Sequence, residues 1–483
     1  MFFGHVKPTF RFFDKLSKPY FTLFKHRGTT IITNFIKVCD YCLVEKTIRR
    51  YYCPVNTVLR TLLYEWRDRR LPLTIGRDVR LDTVPVGGIQ NATVITGFRR
   101  AGKTYLVYET IKKLLEIHPR EDVVYINFED ERVLAPDAGI LTDLLPEIQA
   151  VYGKKPKYLF LDEIQLIPNW SKWVRRVLDS EDTQIFITGS SSKLGSAELP
   201  TELRGRAWET HVEPLTFAEF LRFKQETVDF DKAAYVRDEE ARIRFLFEEF
   251  LVFGGLPAVV LAPQEKKTEL LQSYFQTVVG MDIAERHRLE NILLLRTLLK
   301  LLLNSTYITV SKLHNNLKSL GLAVGKSSVD HYITHIESSY FMRELYIHNP
   351  AMINRLQYPR KVYFVDNGFM TALSSKYSRN MGRLLENFVF RLLSQRHENL
   401  FYYKDKKGNE VDFVVFENGR ASALYQVCFS LEEDATRARE VRSLLKAGGE
   451  LGCRHLILLY MEMPAGVEIP EEIQCKFVLN FMA

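Results

Sequence analysis

The segment at residues 97–104 constrains the fold more than any other, because its sequence GFRRAGKT matches the pattern G-x-x-x-x-G-K-S/T. It follows an apolar, β-branched run at 92–96 and precedes a helical pattern at 105–115, which is the context that the pattern requires. Glycines in such a loop let backbone N–H groups turn inward at a helix N-terminus and hold phosphate oxygens. Lys103 would reach the β- and γ-phosphates of ATP, and the Thr104 hydroxyl would ligate Mg²⁺. The predicted nucleotide-binding residues of this loop are Gly97, Phe98, Arg99, Arg100, Ala101, Gly102, Lys103 and Thr104.

The residues around this loop alternate short β-branched runs with helical patterns, which is typical of a parallel sheet covered by helices. The predicted strands are ATVITG, DVVYINF, YLFLDE and QIFITGS. The fold class is therefore α/β, with a parallel sheet that carries the loop.

Two carboxylates follow the predicted strand KYLFLDEIQ, about 55 residues after the loop. Asp162 is placed to hold the Mg²⁺ shell, and Glu163 to orient and deprotonate the attacking water. Both would emerge at the carboxyl end of a buried strand. The spacing predicts a site for ATP hydrolysis.

Two further positions are candidates for contacts with the nucleotide. The strand QIFITGSSS ends in polar residues, of which Ser190 could hydrogen-bond the γ-phosphate or the water; the alternative is a turn that caps the next helix. Arg206 would act as an arginine finger on a neighbouring subunit's nucleotide, because its planar fork stabilises spread negative charge. Its alternative is a surface ion pair with Glu202 or Glu209. A finger acting between subunits would imply a homo-oligomer.

Four segments in order (GFRRAGKT, YLFLDEIQLIPNWSKWVRRVLD, FITGSSS and LRGRAWETHVEPLTFAEFL) resemble the prokaryotic AAA+-like ATPases of the archaeal-ATPase/STAND type. The segments FLVFGGLPAVV and DIAERHRL, with the C-terminal half, resemble the domain of unknown function that these ATPases carry. The resemblance covers about residues 55–480. It implies ATP binding and hydrolysis, a winged-helix segment and a C-terminal restriction-endonuclease-like α/β domain. The predicted domains are an ATPase domain with its lid at 55–265, a helical and winged-helix domain at 266–350, and a nuclease-like domain at 351–483.

Residues 291–348 also favour a winged helix by their own pattern, with three helices and a returning strand. The third helix would offer Lys326, Ser327, Ser328 and His331 to a DNA groove. Asp330 and Glu337 offset the charge of Lys326, and winged helices also bind proteins. DNA is therefore a candidate partner of this segment, and a protein is the alternative.

The C-terminal residues match only part of a two-metal nuclease pattern, which is a carboxylate, then an Asp, then Glu-x-Lys on the next strand. Glu386 and Asp412 match and form a candidate second metal site, but Gln426-Val427-Cys428 stands where Glu-x-Lys is expected. Gln is a weaker ligand for a hard cation, and Cys cannot supply the ammonium. We therefore favour a degenerate nuclease-like fold retained for binding or assembly.

The charge distribution separates the first residues from the rest of the chain. The 483 residues carry a net charge of +7, and residues 1–54 hold ten Lys and Arg against three Asp and Glu, so residues 55–483 are neutral. The composition changes at Val55, which motivates the hypothesis that residues 1–54 are not translated and that Val55 is the start. Cys39 and Cys42 form a CxxC near Cys53, but no convincing fourth zinc ligand accompanies them. The basic isoelectric point of the chain, about 8.9, is therefore weak evidence for a nucleic-acid partner.

The sequence also limits the cellular setting and the function classes. No run approaches the roughly 18 apolar residues of a membrane helix, and six cysteines are too few for a disulfide scaffold, so we expect a cytoplasmic protein without a membrane partner. The first hypothesis is an ATPase whose nucleotide state switches how the winged-helix and nuclease-like domains engage a partner. The alternatives are an ATP-gated, Mg²⁺-dependent DNA nuclease and a regulator that binds ATP without hydrolysing it.

Overall fold

The computed structural model describes two strands near the N-terminus and most of the chain from residue 57 onward. The described ranges are 23–26, 29–32, 57–83, 90–133, 139–189, 200–233, 235–349, 357–374, 380–464 and 466–482. The chain divides into two compact units, Met1–Asn56 and Thr57–Ala483. In the first unit, β1 (Leu23–His26) pairs antiparallel with β2 (Thr29–Ile32). The cysteines at 39, 42 and 53 lie outside the described residues.

The second unit begins with a five-stranded parallel sheet in the order β4-β5-β6-β3-β7. Its strands are β3 (Ala92–Thr96), β4 (Val123–Asn127), β5 (Tyr158–Asp162), β6 (Gln184–Thr188) and β7 (Ala207–His211). The first four form because their β-branched and aromatic side chains are buried on both faces, as parallel strands require. The predicted α/β class is confirmed.

Helices cover this sheet, because each has an apolar face that the strands bury. They are α1 (Thr57–Asp68), α2 (Lys103–Leu115), α3 (Gly139–Tyr152) and α4 (Trp170–Ser180), with short 3₁₀ turns at Arg120–Asp122, Ile164–Leu166 and Thr201–Leu203. In α1, the indole of Trp66 donates to the carbonyl oxygen of Val123 at 2.9 Å. The helix is thereby fixed against β4.

A helical region follows the sheet. Its elements are α5 (Phe217–Phe223), α6 (Phe230–Ala233), α7 (Arg237–Phe253), α8 (Pro257–Leu261), a 3₁₀ turn (Gln264–Lys266), α9 (Lys267–Thr277) and a π-helix (Val278–Glu285). A capping box starts α5, since Thr216 and Glu219 each accept from the other's backbone N–H.

The middle of the chain combines three helices with a small antiparallel sheet. It contains α10 (Ile292–Leu303), β8 (Tyr307–Ile308), α11 (Val310–Ser319), α12 (Lys326–Ser338), β9 (Met342–Leu345) and β10 (Arg360–Phe364), with strand order β8-β10-β9. Thr309 caps α11 by accepting from the Lys312 N–H at 3.1 Å. The predicted domain division at residue 350 separates β10 from the other two strands of this sheet, because β10 pairs with both β8 and β9.

A half-buried carboxyl where α12 meets β9 predicts a pH-dependent stability. Burial and the neighbouring carboxylate of Glu344 raise the pKa of Glu337 to about 7. Because the folded state holds the proton more tightly than the unfolded state does, this group stabilises the fold below about pH 4.5 and loses that contribution as the pH rises through 7. We expect Glu337→Gln to match the wild type in unfolding free energy near pH 4 and to exceed it by about 3 kcal/mol near pH 8. Urea unfolding across this pH range tests it, and a difference that does not change with pH would contradict it.

The C-terminal part has a five-stranded mixed sheet in the order β11-β12-β13-β14-β15. The strands β11, β12 and β13 pair antiparallel, whereas β13, β14 and β15 pair parallel. The elements are α13 (Asn367–Ala372), α14 (Met381–Arg396), β11 (Leu400–Lys404), β12 (Glu410–Glu417), β13 (Arg420–Ser430), α15 (Asp434–Leu451), β14 (Leu456–Glu462), β15 (Ile473–Phe477) and α16 (Val478–Met482).

A buried aspartate joins the helical region to the C-terminal part. The carboxylate of Asp366 accepts from the backbone N–H groups of Gly255 and Gly368 at 2.7 and 2.8 Å. Gly254 has φ +77°, and a Cβ there would lie 1.7 Å from Asp366 Oδ1. Only glycine allows this approach.

Within the described residues, no helix is both long and apolar enough to cross a membrane.

Candidate functional site

The loop between β3 and α2 takes a shape that its glycines make possible. Gly97 has φ +134° and Gly102 has φ +102°, and Gly102 directly precedes the first residue of α2. A Cβ on Gly97 would lie 2.2 Å from the carbonyl oxygen of Val212. Both glycines are therefore required by the backbone, as the sequence pattern predicted. Arg100 also has positive φ, at +68°.

Lys103 and Thr104 occupy the first turn of α2. The ammonium of Lys103 donates to the carbonyl oxygens of Gly97 and Phe98 at 3.0 and 3.1 Å, so it lies across the loop. Burial lowers the pKa of Lys103, whereas the nearby carboxylates of Glu163 and Asp162 raise it. A buried ammonium that donates to uncharged carbonyl oxygens favours the binding of an anion such as phosphate.

Asp162 ends β5 and receives three hydroxyl donors. Thr104 Oγ1 and Tyr125 Oη donate to Asp162 Oδ2 at 3.0 and 2.7 Å, and Thr188 Oγ1 donates to Oδ1. Burial raises the pKa of this carboxyl, whereas the bond from Thr188 lowers it. A threonine hydroxyl beside a carboxylate at a phosphate-binding loop is a donor set that fits Mg²⁺. Thr104 and Asp162 are thus the residues that would hold this ion.

Glu163 follows Asp162 in a left-handed conformation with φ +56°. Its backbone N–H donates to Thr188 Oγ1 at 3.1 Å, and its Oε2 accepts from Gln165 Nε2. A left-handed conformation costs a residue other than glycine about 1 kcal/mol, so the surrounding contacts impose it. Thr188 therefore contacts both acidic residues. Ser190, the predicted contact to the γ-phosphate, lies outside the described residues.

An aspartate that the sequence analysis did not select belongs to the same centre. The guanidinium Nε of Arg99 donates to both carboxylate oxygens of Asp282, at 3.0 and 2.8 Å. Asp282 lies in the π-helix and is 6% exposed. Burial raises the pKa of Asp282, whereas Arg99 and Lys103 lower it. The only local sign of this role is an acidic residue within the apolar run VVGMDIA.

The loop is also packed against residues far along the chain. The ring of Phe98, 1% exposed, contacts those of Phe341 and Phe369, with centroids 6.2 and 5.6 Å apart. Arg77 Nη1 donates to the carbonyl oxygen of Ala101 at 2.9 Å, and its Nε donates to Glu219 at 2.7 Å. The loop thus contacts the middle region and the C-terminal part directly.

Arg206 does not reach the loop of its own chain. Its carbonyl oxygen accepts from the Ala92 N–H at 2.9 Å, so it lies at the amino-terminal edge of the sheet. The loop follows Thr96 at the opposite edge, roughly 16 Å away along a five-residue strand. The side chain of Arg206 pairs with Asp179 of α4, and not with Glu202 or Glu209 as the alternative had it. Arg206 could therefore act as an arginine finger only on the nucleotide of a neighbouring copy.

The second predicted pair, Glu386 and Asp412, converges on an ammonium. Lys361 Nζ lies 3.0 Å from Glu386 Oε1, 2.8 Å from Asp412 Oδ1 and 2.9 Å from Glu410 Oε1. Burial lowers the pKa of Lys361, but Asp412 and Glu386 outweigh it and raise this pKa well above its usual value. The sequence analysis did not select Lys361. Within the part of the chain that the structure describes, no group of three or more His, Cys, Asp and Glu side chains is arranged for a metal ion.

The predicted DNA-contacting residues lie at the start of α12. Lys326, Ser327 and His331 are exposed, and Ser328 is half-buried. The buried side of the helix carries Val329, Ile333 and Ile336, and Ser327 and His331 lie opposite to it. These polar side chains are accessible to a partner.

Comparison with protein families matches three consecutive segments. Residues 90–221 match the family described as AAA domain, residues 244–380 a domain of unknown function (DUF8612), and residues 381–467 a domain of unknown function (DUF4143). An uncharacterized protein of Methanocaldococcus jannaschii is 38% identical over 380 residues, which are 77% of this chain and 81% of the relative. An uncharacterized protein of Haemophilus influenzae is 30% identical over 347 residues, which are 71% and 83% of the two chains.

Solved structures with a similar arrangement are more distant. The Walker-type ATPase of Pyrococcus abyssi is 13% identical with a TM-score of 0.38, covering 65% of this chain and 94% of that one. The Aeropyrum pernix ORC1 protein, solved in complex with DNA, is 16% identical with a TM-score of 0.29, covering 72% and 94%. These scores are too low to carry an argument about function.

Proposed function

Because the chain belongs to the family of its Methanocaldococcus jannaschii and Haemophilus influenzae relatives and carries an AAA-type ATPase domain, we propose that it binds and hydrolyses ATP. Lys103, Thr104, Asp162 and Glu163 are the residues to which we assign this chemistry. Their convergence at the carboxyl edge of the first sheet supports the assignment.

The chain's own groups have separable roles in this proposal. The Lys103 ammonium exchanges the carbonyl oxygens of Gly97 and Phe98 for phosphate oxygens, and the N–H groups of the loop hold the same phosphates. Thr104 and Asp162 hold Mg²⁺, which supplies neutralising charge to the phosphates. Glu163 orients the attacking water and accepts its proton. The Thr188 hydroxyl joins the Asp162 carboxylate to the backbone N–H of Glu163 and so fixes the strand end that carries both acidic residues.

We further propose that the nucleotide state is transmitted to the middle region and the C-terminal part. The single observation that carries this proposal is the ion pair in which Arg99 Nε of the phosphate-binding loop donates a bifurcated hydrogen bond to the buried Asp282 in the π-helix. Phosphate placed in the loop competes with Asp282 for the Arg99 guanidinium. A change in that pair alters the π-helix, while Phe98 transmits loop movement to Phe341 and Phe369.

The experiment for this coupling is hydrogen–deuterium exchange of the π-helix with and without ATP. In the wild type, we expect ATP to raise exchange at residues 278–285. In Asp282→Asn, the exchange should already be about 10-fold higher without ATP, because one charge of a largely buried pair is lost, and ATP should add little. ATP affinity should change only modestly, since Asp282 is not assigned to hold phosphate.

Glu285→Gln is the matched control, because Glu285 is an exposed acid of the same π-helix. It should behave as the wild type does. An equal ATP-dependent change in Asp282→Asn and the wild type would rule out this route of coupling. Phosphate release by the wild type separates the proposal from a regulator that binds ATP without turnover.

For the partner, we propose DNA contact through the exposed start of α12, with Lys326, Ser327 and His331. The favourable observation is that Ser327 and His331 lie on the face opposite the buried one, and that Lys326 is exposed in the first turn beside them. Binding of the full chain to duplex DNA, compared with Lys326→Ala, tests it. In this proposal Arg206 acts as an arginine finger only on the nucleotide of a neighbouring copy in a homo-oligomer. We assign no DNA cleavage to Glu386 and Asp412.

A further inference from the structure

The C-terminal part contains a cluster of one lysine and three carboxylates that lies outside the proposed ATP site. At its centre is Lys361, whose side chain is 2% exposed. It comes from β10, a strand of the middle sheet, whereas its partners come from α14 and β12 of the C-terminal part. The group therefore spans two parts of the fold.

All three N–H donors of the Lys361 ammonium have a carboxylate acceptor. The acceptors are Glu386 Oε1, Glu410 Oε1 and Asp412 Oδ1, at 2.8 to 3.0 Å. A lysine ammonium has three donors, so its hydrogen-bonding capacity is filled. The rings of Tyr307 and Tyr402 lie 5.6 and 5.8 Å from the same nitrogen.

Asp412 and the neighbouring Gln426 make further hydrogen bonds. Asp412 Oδ2 accepts from the Val427 N–H at 3.0 Å, so both oxygens of this carboxylate are used. Gln426 accepts from the Asp412 N–H at 3.2 Å and donates to Glu440 Oε2 at 2.7 Å. Gln426 therefore serves as a hydrogen-bonding bridge at the position where a metal-dependent nuclease would supply a carboxylate.

A metal ion does not fit between these carboxylates. Mg²⁺ needs its oxygen ligands at about 2.0–2.1 Å, and a cation at that distance from Glu386 Oε1 and Asp412 Oδ1 would collide with the nitrogen already bound to both. The ammonium and a metal ion would repel each other strongly at this separation, and both would need the same acceptor oxygens. The nuclease-like resemblance and the residues present therefore disagree.

We propose that Lys361 is the internal cation of this group and stands where a divalent metal ion would lie, so that the C-terminal part works without a metal. The lysine offsets part of the charge of the three carboxylates and joins β10 of the middle sheet to α14 and β12. This proposal is independent of ATP hydrolysis, because none of these residues belongs to the nucleotide site.

The test is the number of Mn²⁺ ions bound per chain, measured by electron paramagnetic resonance on the nucleotide-free full-length protein. We expect no Mn²⁺ in the wild type that depends on Asp412. Lys361→Ala leaves the carboxylates without their cation, and it should gain about one Mn²⁺ per chain, which Lys361→Ala with Asp412→Asn should lose. Lys404→Ala is the matched control, because Lys404 also pairs with Glu410 but from the surface, and it should gain none.

Two results would overturn the proposal. One is wild-type Mn²⁺ binding that Asp412→Asn abolishes and Asp162→Asn leaves intact. The other is a folded Lys361→Ala that binds no Mn²⁺. Should Lys361→Ala fail to fold, the wild-type measurement with Asp412→Asn and Asp162→Asn decides alone.

Discussion

Replacing Lys103 with alanine is expected to lower ATP affinity at least about 100-fold. The ammonium is buried and donates to the uncharged carbonyl oxygens of Gly97 and Phe98, so its charge is available to phosphate. Removing a charge-assisted contact to phosphate in a buried site costs about 3 kcal/mol or more, which is the expected loss. Titration with a fluorescent ATP analogue measures it directly. The fold should survive, because burial already disfavours this ammonium, as its lowered pKa records.

Lys113→Ala is the matched control for this loss. Lys113 lies on the same helix, is exposed, and pairs with Glu109 one turn away. Its removal should leave ATP affinity within about twofold of the wild type, because exposed pairs of this kind are worth little. Equal ATP affinity in the wild type and Lys103→Ala would remove the assignment of the loop to ATP.

The sequence predicts those strands of the first sheet that are buried on both faces, because burial dictates their composition. It does not predict the strand that is partly exposed. ATVITG, YLFLDE and their neighbours are recognisable because strands buried on both faces need apolar, β-branched side chains. The strand Ala207–His211 escaped prediction, because its sequence AWETH belongs to a half-exposed edge strand. The strand Arg360–Phe364 was recognised, but its pairing with β8 and β9 was not, since partner choice depends on distant residues.

In the candidate site, too, residues of a local sequence pattern are predictable and residues that meet only through long-range contacts are not. Gly97, Gly102, Lys103 and Thr104 are predictable because one short loop must satisfy the geometry of phosphate binding. Asp282 was missed because it lies 183 residues from Arg99, and no local pattern marks an acid that completes a distant pair. Lys361 was missed for the same reason, because it becomes the partner of Glu386 and Asp412 only when three elements meet. The residues that couple parts of the fold are thus the hardest to infer from the sequence.

Replacing Glu163 with glutamine is expected to slow ATP hydrolysis about 10²- to 10⁴-fold while ATP affinity stays within a few-fold of the wild type. Glutamine keeps the size of the side chain and can adopt the same left-handed backbone, but it cannot accept a proton from water. The backbone bond to Thr188 does not involve the carboxylate, so the strand end and Asp162 should keep their positions. Single-turnover phosphate release and ATP titration on the same preparation separate the two quantities.

The comparison that isolates the carboxylate uses Glu181→Gln. Glu181 precedes β6 at the amino-terminal edge of the same sheet, where it pairs with Lys155, far from the loop. The same chemical change at that edge should leave both quantities unaltered, because no phosphate or water of the reaction lies there. If Glu163→Gln hydrolysed ATP as fast as Glu181→Gln, the proton would have to go to another group, and Glu163 would lose its assigned role. If it lost ATP binding instead, the carboxylate would be needed to hold the nucleotide site together, which its contacts at Gln165 and Thr188 do not predict.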